Sequence, residues 1–449
     1  MLRRFAISCF LAALVLPVAA RTRPHYGGTL RIEIEGDPWQ HPDGLAQRLV
    51  FDGLTTLDTD GTTHPALAVE WKSENGDHRW QFRLRPGVRF QDGSPLTPTS
   101  VVQSLTLTCA ANCPWTAVRA VGTLVVFTGN SPMPNLPALL AGGDFLISLT
   151  VTAEGKTPSG ATGTGPFQLV GFNGGVLKLT AYDNCWQGRP FADAVEIREH
   201  RAVRDQWLDL SVGRADLVEV PAEMLRQAQR QRLTVITLQP ATVLALQLPD
   251  AGALQNPTLR AAIAMAVDRG ALSNVIFQKQ GEVTASLLPQ VLTGYSFLFP
   301  TDRDLNKAHV LRGGLTLPPL TLGVEGNGAM QLAAQRIALN LHEAGLNVRV
   351  VGASKAQQTD MTLRALPLNG GKPAAAFEAL LRSAGQSAPV VERAPAALFK
   401  EEREFLDLHT LIPLLDLPKA YAIGGRVRDI QMRPDGTPDL AETSLEDAP

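Results

Sequence analysis

LTLGVEGNGAMQLAAQRIALNLHEAGLNVRVV, residues 320–351, reads as a strand, a helix and a second strand. Pro318-Pro319 precedes the apolar run Leu320–Val324, and an amphipathic stretch follows from about Ala329 to Ala344. Gly345 stands where a helix needs a left-handed C-cap, and Leu346–Val351 is apolar again. A unit of roughly thirty residues in that order is a βαβ crossover, whose two strands lie parallel in one sheet. The sequence on its N-terminal side has the same character. Pro257 opens a helix with Leu259, Ile263, Ala266 and Val267 on one face, closed by Asp268-Arg269. Val195–Arg198 is a strand, 201–212 a helix and 216–220 another strand, so strands alternate with helices and the fold class is α/β.

Further out the pattern turns antiparallel. Phe167–Phe172 and Val176–Ala181 flank Asn173-Gly174-Gly175 as a hairpin. Trp80-Gln81-Phe82-Arg83-Leu84 alternates strictly, and Val88-Arg89-Phe90 is expected to pair with it across Arg85-Pro86-Gly87. Thr97-Pro98 is a helix start, and Thr29–Ile34 an opening strand. Thr157–Gly165, rich in Thr, Gly, Ser and Pro, is a linker, and residues 352–395 read as loose and Ala/Pro/Gly-rich.

The chain has 449 residues, too many for one core and suited to two or three domains. Its formal charge of −2 gives no basic field of the kind a nucleic acid or an anionic membrane would need. Arg3 and Arg4, the apolar run Phe5–Leu16, Pro17 and the small residues Val18-Ala19-Ala20 form a secretory signal pattern. The apolar run is too short to span a bilayer. With Cys9 inside that segment, Cys109, Cys113 and Cys185 remain, an odd number. Cys109 and Cys113, followed by Pro114, either close a short disulfide loop or are two small buried hydrophobes. His25, His41 and His64 lack ligand spacing, so no metal or cofactor is expected. Gly163-Thr164-Gly165 is followed by no Gly-Lys-Ser/Thr, and the chain has neither a Gly-x-Ser-x-Gly elbow nor a His-Glu-x-x-His, so no enzyme is expected.

An ordered series of segments resembles the solute-binding proteins of ABC importers, the peptide/nickel type of family 5. It comprises Gly27–Ile32, Phe51-Asp52-Gly53-Leu54, Pro65–Ala68 with Trp71, and above all Trp80–Phe90 running on through Asp92-Gly93-Ser94-Pro95-Leu96-Thr97. Gly163–Phe167, Trp186–Pro190, Leu259–Ile263 with Val267-Asp268-Arg269, and Ile412-Pro413-Leu414 complete it. The resemblance implies a type II (cluster C) periplasmic-binding fold: two lobes joined by hinge strands, plus an extra small domain. On that frame 1–20 is the signal and 21–50 the first segment of lobe I. The small domain is 51–161, the second lobe I segment 162–245, lobe II 246–417, and the return to lobe I 418–449. Arg269 is expected to pair with a neighbouring acid or to cap its helix.

The resemblance also implies a periplasmic monomer that binds a small ligand, peptide-like or other, for an ABC permease in the inner membrane, with no part for nucleic acid. The rival reading is a sensor or interaction protein on the same fold. Residues 360–373 lack the aromatic-Asp-Tyr-Pro-Asp run of peptide-binding members, and Cys185 replaces an aromatic before Trp186. By position, the ligand-binding candidates are Glu35, Asp37 and Trp39 after the first strand, Arg364, and Leu415 and Asp416 after Pro413. A loop Trp beside a strand end has few structural uses, which puts Trp39 first.

Overall fold

Two strands of unusual length, Thr234–Gln247 and Leu411–Ile423, run antiparallel through the middle of an eleven-stranded sheet. The computed structural model describes residues 25–39, 44–108, 113–149, 160–314, 317–326, 328–352, 359–368, 371–386 and 394–446. The signal pattern, His41 and Cys109 lie outside them. On one side of the long pair, Met361–Pro367, Leu320–Val324 and Val348–Val351 build lobe II. On the other, Leu217–Glu219, Thr29–Glu33, Ala194–Arg198, Val176–Ala181 and Phe167–Asn173 build lobe I.

The βαβ unit forms as its sequence predicts. Leu320–Val324 and Val348–Val351 are parallel neighbours connected by the helix Ala329–Glu343, with Gly345 at φ +80 just beyond it. Lobe II covers both faces of its sheet, which is why its central strand LIPLLDLP has no polar alternation and is buried from Leu411 to Pro418. Leu244 and Leu246 face one core, with Ile263, Leu322, Ile337 and Leu414; Val243 and Ala245 face a second, with Leu366, Phe377 and Leu398.

The long strands do not pair continuously. Leu238 is opposite Lys419 and Thr242 opposite Leu417, so Gln239, Pro240 and Ala241 stand against Pro418 alone. Neither proline has an N–H to give to the ladder, which lapses here. Thr234–Leu238 therefore belongs with lobe I and Thr242–Gln247 with lobe II, whereas the sequence frame placed that boundary at 245/246.

Lobe I is fastened by Asp216. Arg31 and Arg426 donate to its carboxylate at 2.7–3.1 Å, and Arg426 also donates to the Thr29 carbonyl. Burial alone would raise this carboxyl, but the two guanidiniums outweigh it and hold the pKa down. The first strand, a middle strand and the C-terminal return, far apart in sequence, meet on this one group.

The small domain has a four-stranded antiparallel sheet in the order Ala68–Glu74, Arg79–Leu84, Leu124–Thr128, Ala117–Val121, with the helix Pro98–Thr108 against it. The expected hairpin between Trp80–Leu84 and Val88–Phe90 does not form. Arg79–Leu84 has neighbours on both edges already, and Phe90 instead pairs with Ser94 across a tight turn. Residues 352–395 are likewise not uniformly loose: Met361–Pro367 is an interior strand of lobe II and Pro373–Ser383 a helix.

The family-like motifs converge where the small domain leaves lobe I. The buried Thr164 hydroxyl and the Trp186 indole both donate to Asp52, and Gln91 bonds the Val50, Gly165 and Phe167 carbonyls. Arg85 lies over the Trp186 ring, 4.7 Å from its centroid. A Cβ on Gly163 would lie 2.0 Å from the Val50 carbonyl oxygen, a backbone atom that cannot swing away. Gly163→Ala is therefore expected to destabilise the protein by about 3 kcal/mol or more, read as a lowered urea midpoint. An unchanged midpoint would mean that this joint yields.

Candidate ligand cleft

The helix Pro373–Ser383 brings lobe II against the small domain. Proline at its first turn and an Ala-rich body favour the helix, and Ala375, Ala379 and Arg382 share one face at i, i+4, i+7 spacing. The Asn135 side-chain amide donates to Glu378 at 3.1 Å, and the Arg382 guanidinium lies 5.3 Å from the Phe145 ring centroid. Gly61 and Gly371 approach so closely that a Cβ on Gly61 would sit 2.7 Å from the Gly371 backbone.

Beside these contacts is a small cleft, with room for a water-sized sphere's centre over about 80 Å³ and partly open to solvent, at the meeting of three bodies. Lobe I contributes Arg48, Arg433 and Asp435; the small domain contributes Leu139 and Phe145; lobe II contributes the Ala375–Arg382 face. Small residues on that face leave room, while larger ones would fill the space.

Charge in the cavity is unevenly balanced. Arg48 pairs with Asp435 at 2.8 Å and donates to the Ala141 carbonyl, and Arg433 pairs with Asp439 at 3.1 Å. Burial would raise Asp435, but Arg48, the Thr437 hydroxyl and N–H, and Arg433 together hold it at about 2. Arg382 forms no ion pair among the described residues. Burial lowers its pKa, with Asp144 and Glu378 acting against that, and its Nε has no acceptor. Arg433 Nε is also without one. An under-partnered guanidinium at a lobe–lobe contact suits an anionic group on a ligand.

None of the six residues selected from sequence lines this cavity. Glu35 is exposed, and its backbone N–H donates to Glu219. Asp37 accepts the Trp39 N–H in a local turn. Trp39 has a structural use after all: it is 6% exposed and stacks on Phe51 within the lobe I core. Arg364 binds Glu325 at 2.8 Å and Gln247 at 3.1 Å, tying neighbouring strands of lobe II. Leu415 is wholly buried in the lobe II core. Asp416 is buried on the same strand, opposite Glu282.

Sequence reading missed Arg48, Arg382, Arg433 and Asp435. The i, i+4, i+7 face of Ala375, Ala379 and Arg382 was a readable signal; the meeting of residue 48 with residue 435 was not. Cys113 is disulfide-bonded, and Cys185 is free and buried, its thiol pushed up to about 11 by burial. Among the described residues no cluster of His, Cys, Asp or Glu could hold a metal ion, and no helix is long and apolar enough to cross a membrane.

A two-lobed α/β body with paired hinge strands and a cavity between its parts defines a solute-binding fold. Residues 62–388 match the model of the bacterial extracellular solute-binding proteins, family 5, and the chain belongs to that family. It is 32% identical to the uncharacterised protein YhjP of Bacillus subtilis, over 36% of this chain and 29% of that one. It is 26% identical to SapA of Escherichia coli, a probable ABC transporter periplasmic-binding protein, over 57% of this chain and 55% of that one. The aligned stretches thus span about half or less of these curated relatives. The solved structure of AgaA from A. tumefaciens R10, in complex with agropinic acid, superposes with a TM-score of 0.82 at 19% identity, covering 94% of this chain and 99% of that one.

Two outcomes are expected. Asp435→Asn strands Arg48 and should cost about 2 kcal/mol, less than for a fully enclosed pair because both side chains keep some water contact; a urea titration measures it. Asp416 is raised from 3.8 to about 8 by burial, with Glu282 and Glu402 adding to the shift. A raised acid stabilises the fold fully below its unfolded pKa, and that contribution is lost as the pH climbs from 3.8 towards 8. Asp416→Asn should therefore melt higher than the parent at alkaline pH and nearly with it in acid, and parallel melting curves across the range would refute the assignment.

Proposed function

We propose that this chain is the exported, non-enzymatic receptor of an ABC importer, acting as a monomer in the periplasm. It takes up a small solute between its lobes and presents it to a permease in the inner membrane. The observation that carries this reading is the shared lapse in both hinge strands at Gln239–Ala241 and Pro418, with the three-body cavity beside it. Rotation there separates the lobes without breaking either core, and a ligand bridging them favours the shut state by its differential affinity. Family membership supports solute capture, and the structural neighbour that holds agropinic acid supports an organic acid as readily as a peptide. Arg382 is the residue assigned to meet the ligand's anionic group.

Dipeptides, amidated dipeptides and small organic acids are the probes. A cognate solute raises the melting temperature in a concentration-dependent way and lowers the radius of gyration in X-ray scattering. Arg382→Gln reduces affinity for an acid held between the lobes about tenfold or more, as expected for a lost charge-assisted pair, and leaves the unliganded melting temperature close to the parent's. If no probe moves either quantity, transport capture is excluded. The direct Asn135–Glu378 contact across the cleft favours the second reading, a sensor with its lobes already seated together. In that case the protein binds its solute but fails to support uptake in vesicles carrying a family 5 permease.

A further inference from the structure

Lobe II holds a second cavity, which shares no lining residue with the interlobe one. Its walls include Met265, Phe299, Phe399 and Leu406, and Arg269 lines it together with Pro413. Arg269 follows the helix Pro257–Ala266 and is 6% exposed. Among the described residues the expected ion pair with a neighbouring acid does not form. Neighbouring Asp268 is occupied as a helix cap, accepting the Ala271 N–H. Arg269 Nε donates to the Pro413 carbonyl at 3.0 Å, and the guanidinium makes no salt bridge among the described residues. Burial alone pushes its pKa down to about 10, with no carboxylate acting against it.

A buried cation without a counter-charge is costly, and proteins keep one where something else supplies the charge. The other ionisable groups on this cavity are Arg403, His409, Asp302 and Asp407. Arg403, Asp302 and Asp407 are exposed, and burial lowers His409. The wall is therefore apolar and aromatic, the enclosed charge is a single guanidinium, and the two acids stand in water. That combination matches one negative charge on an apolar body: a dianion would carry a second charge towards apolar walls and the acids, and an amine would meet Arg269.

We propose that this cavity binds a monocarboxylate with an apolar tail, its carboxylate on Arg269 and its tail against Phe299 and Phe399. The site lies within lobe II, so occupancy does not require the lobes to close, and its ligand is distinct from the solute held between them.

Calorimetric titration of the whole mature protein with hexanoate, hexan-1-ol and hexylamine tests this. Hexanoate is expected to bind about tenfold or more tightly than the alcohol, hexylamine not at all, and Arg269→Gln to remove the difference. Arg382→Gln should leave hexanoate binding unchanged. Since Arg269→Gln can impair folding, the unmutated protein with ¹³C-labelled methionine methyls gives a second reading, in which hexanoate shifts the Met265 resonance. Equal affinity for acid and alcohol overturns the proposal, as does full hexanoate binding by Arg269→Gln or a Met265 resonance that does not move. Loss of binding in Arg382→Gln with Met265 unmoved would place hexanoate in the interlobe cavity, leaving the transport reading intact and this one refuted.

Discussion

Everything in this molecule hangs on two antiparallel strands that pair twice and lapse once. Thr234–Gln247 and Leu411–Ile423 each carry one half of their ladder in lobe I and the other in lobe II. A sheet interior resists bending because every backbone group is committed to a neighbour. Here three residues face a single proline, and the commitment is relaxed at the level where the two cores separate. The rigid parts stay rigid because their hydrophobic clusters are distinct, and the freedom that remains is concentrated in a few backbone torsions.

The buried charges fall into two groups, and the division separates scaffold from site. Asp216 receives two guanidiniums, and Glu402 receives the Ser286 and Tyr295 hydroxyls with the Leu287 and Leu288 N–H groups. These carboxylates are saturated and hold distant segments together. Arg382 and Arg269 are under-partnered, and each lines a cavity. Saturation leaves a group nothing to offer a ligand; a deficit leaves hydrogen-bonding capacity unspent where water is scarce. Asp416 also lacks a partner for one oxygen, yet lines neither cavity and relieves its burial by holding a proton instead.

The motifs that betray the family are not the residues that line the cleft. Asp52, Gly163, Thr164 and Trp186 lock the small domain onto lobe I through close approach and buried hydrogen bonds. Their side chains are spent on that joint, so they mark the fold and say little about the solute. The cavity is lined instead by residues of ordinary appearance, an alanine face and arginines whose neighbours in sequence give no hint of their role.

Periodicity by itself determined the βαβ unit at 320–351, the lobe I hairpin at 167–181 and the helix from Pro257, because each is a local pattern whose apolar face must be covered whatever covers it. The strand Met361–Pro367 was passed over although Met361-Thr362-Leu363-Arg364 alternates in both sequence and burial, because the run is short and its Ala/Pro/Gly-rich surroundings resemble a loop. Trp39 misled for a related reason: exposure of a loop residue is set by what packs over it, and Phe51 does. Only the tertiary structure decided that Arg48 meets Asp435, that a helix of lobe II seats on the small domain, and that Arg269 bonds the Pro413 carbonyl and forms no salt bridge among the described residues. Those facts depend on distances between segments hundreds of residues apart, and no local pattern encodes them.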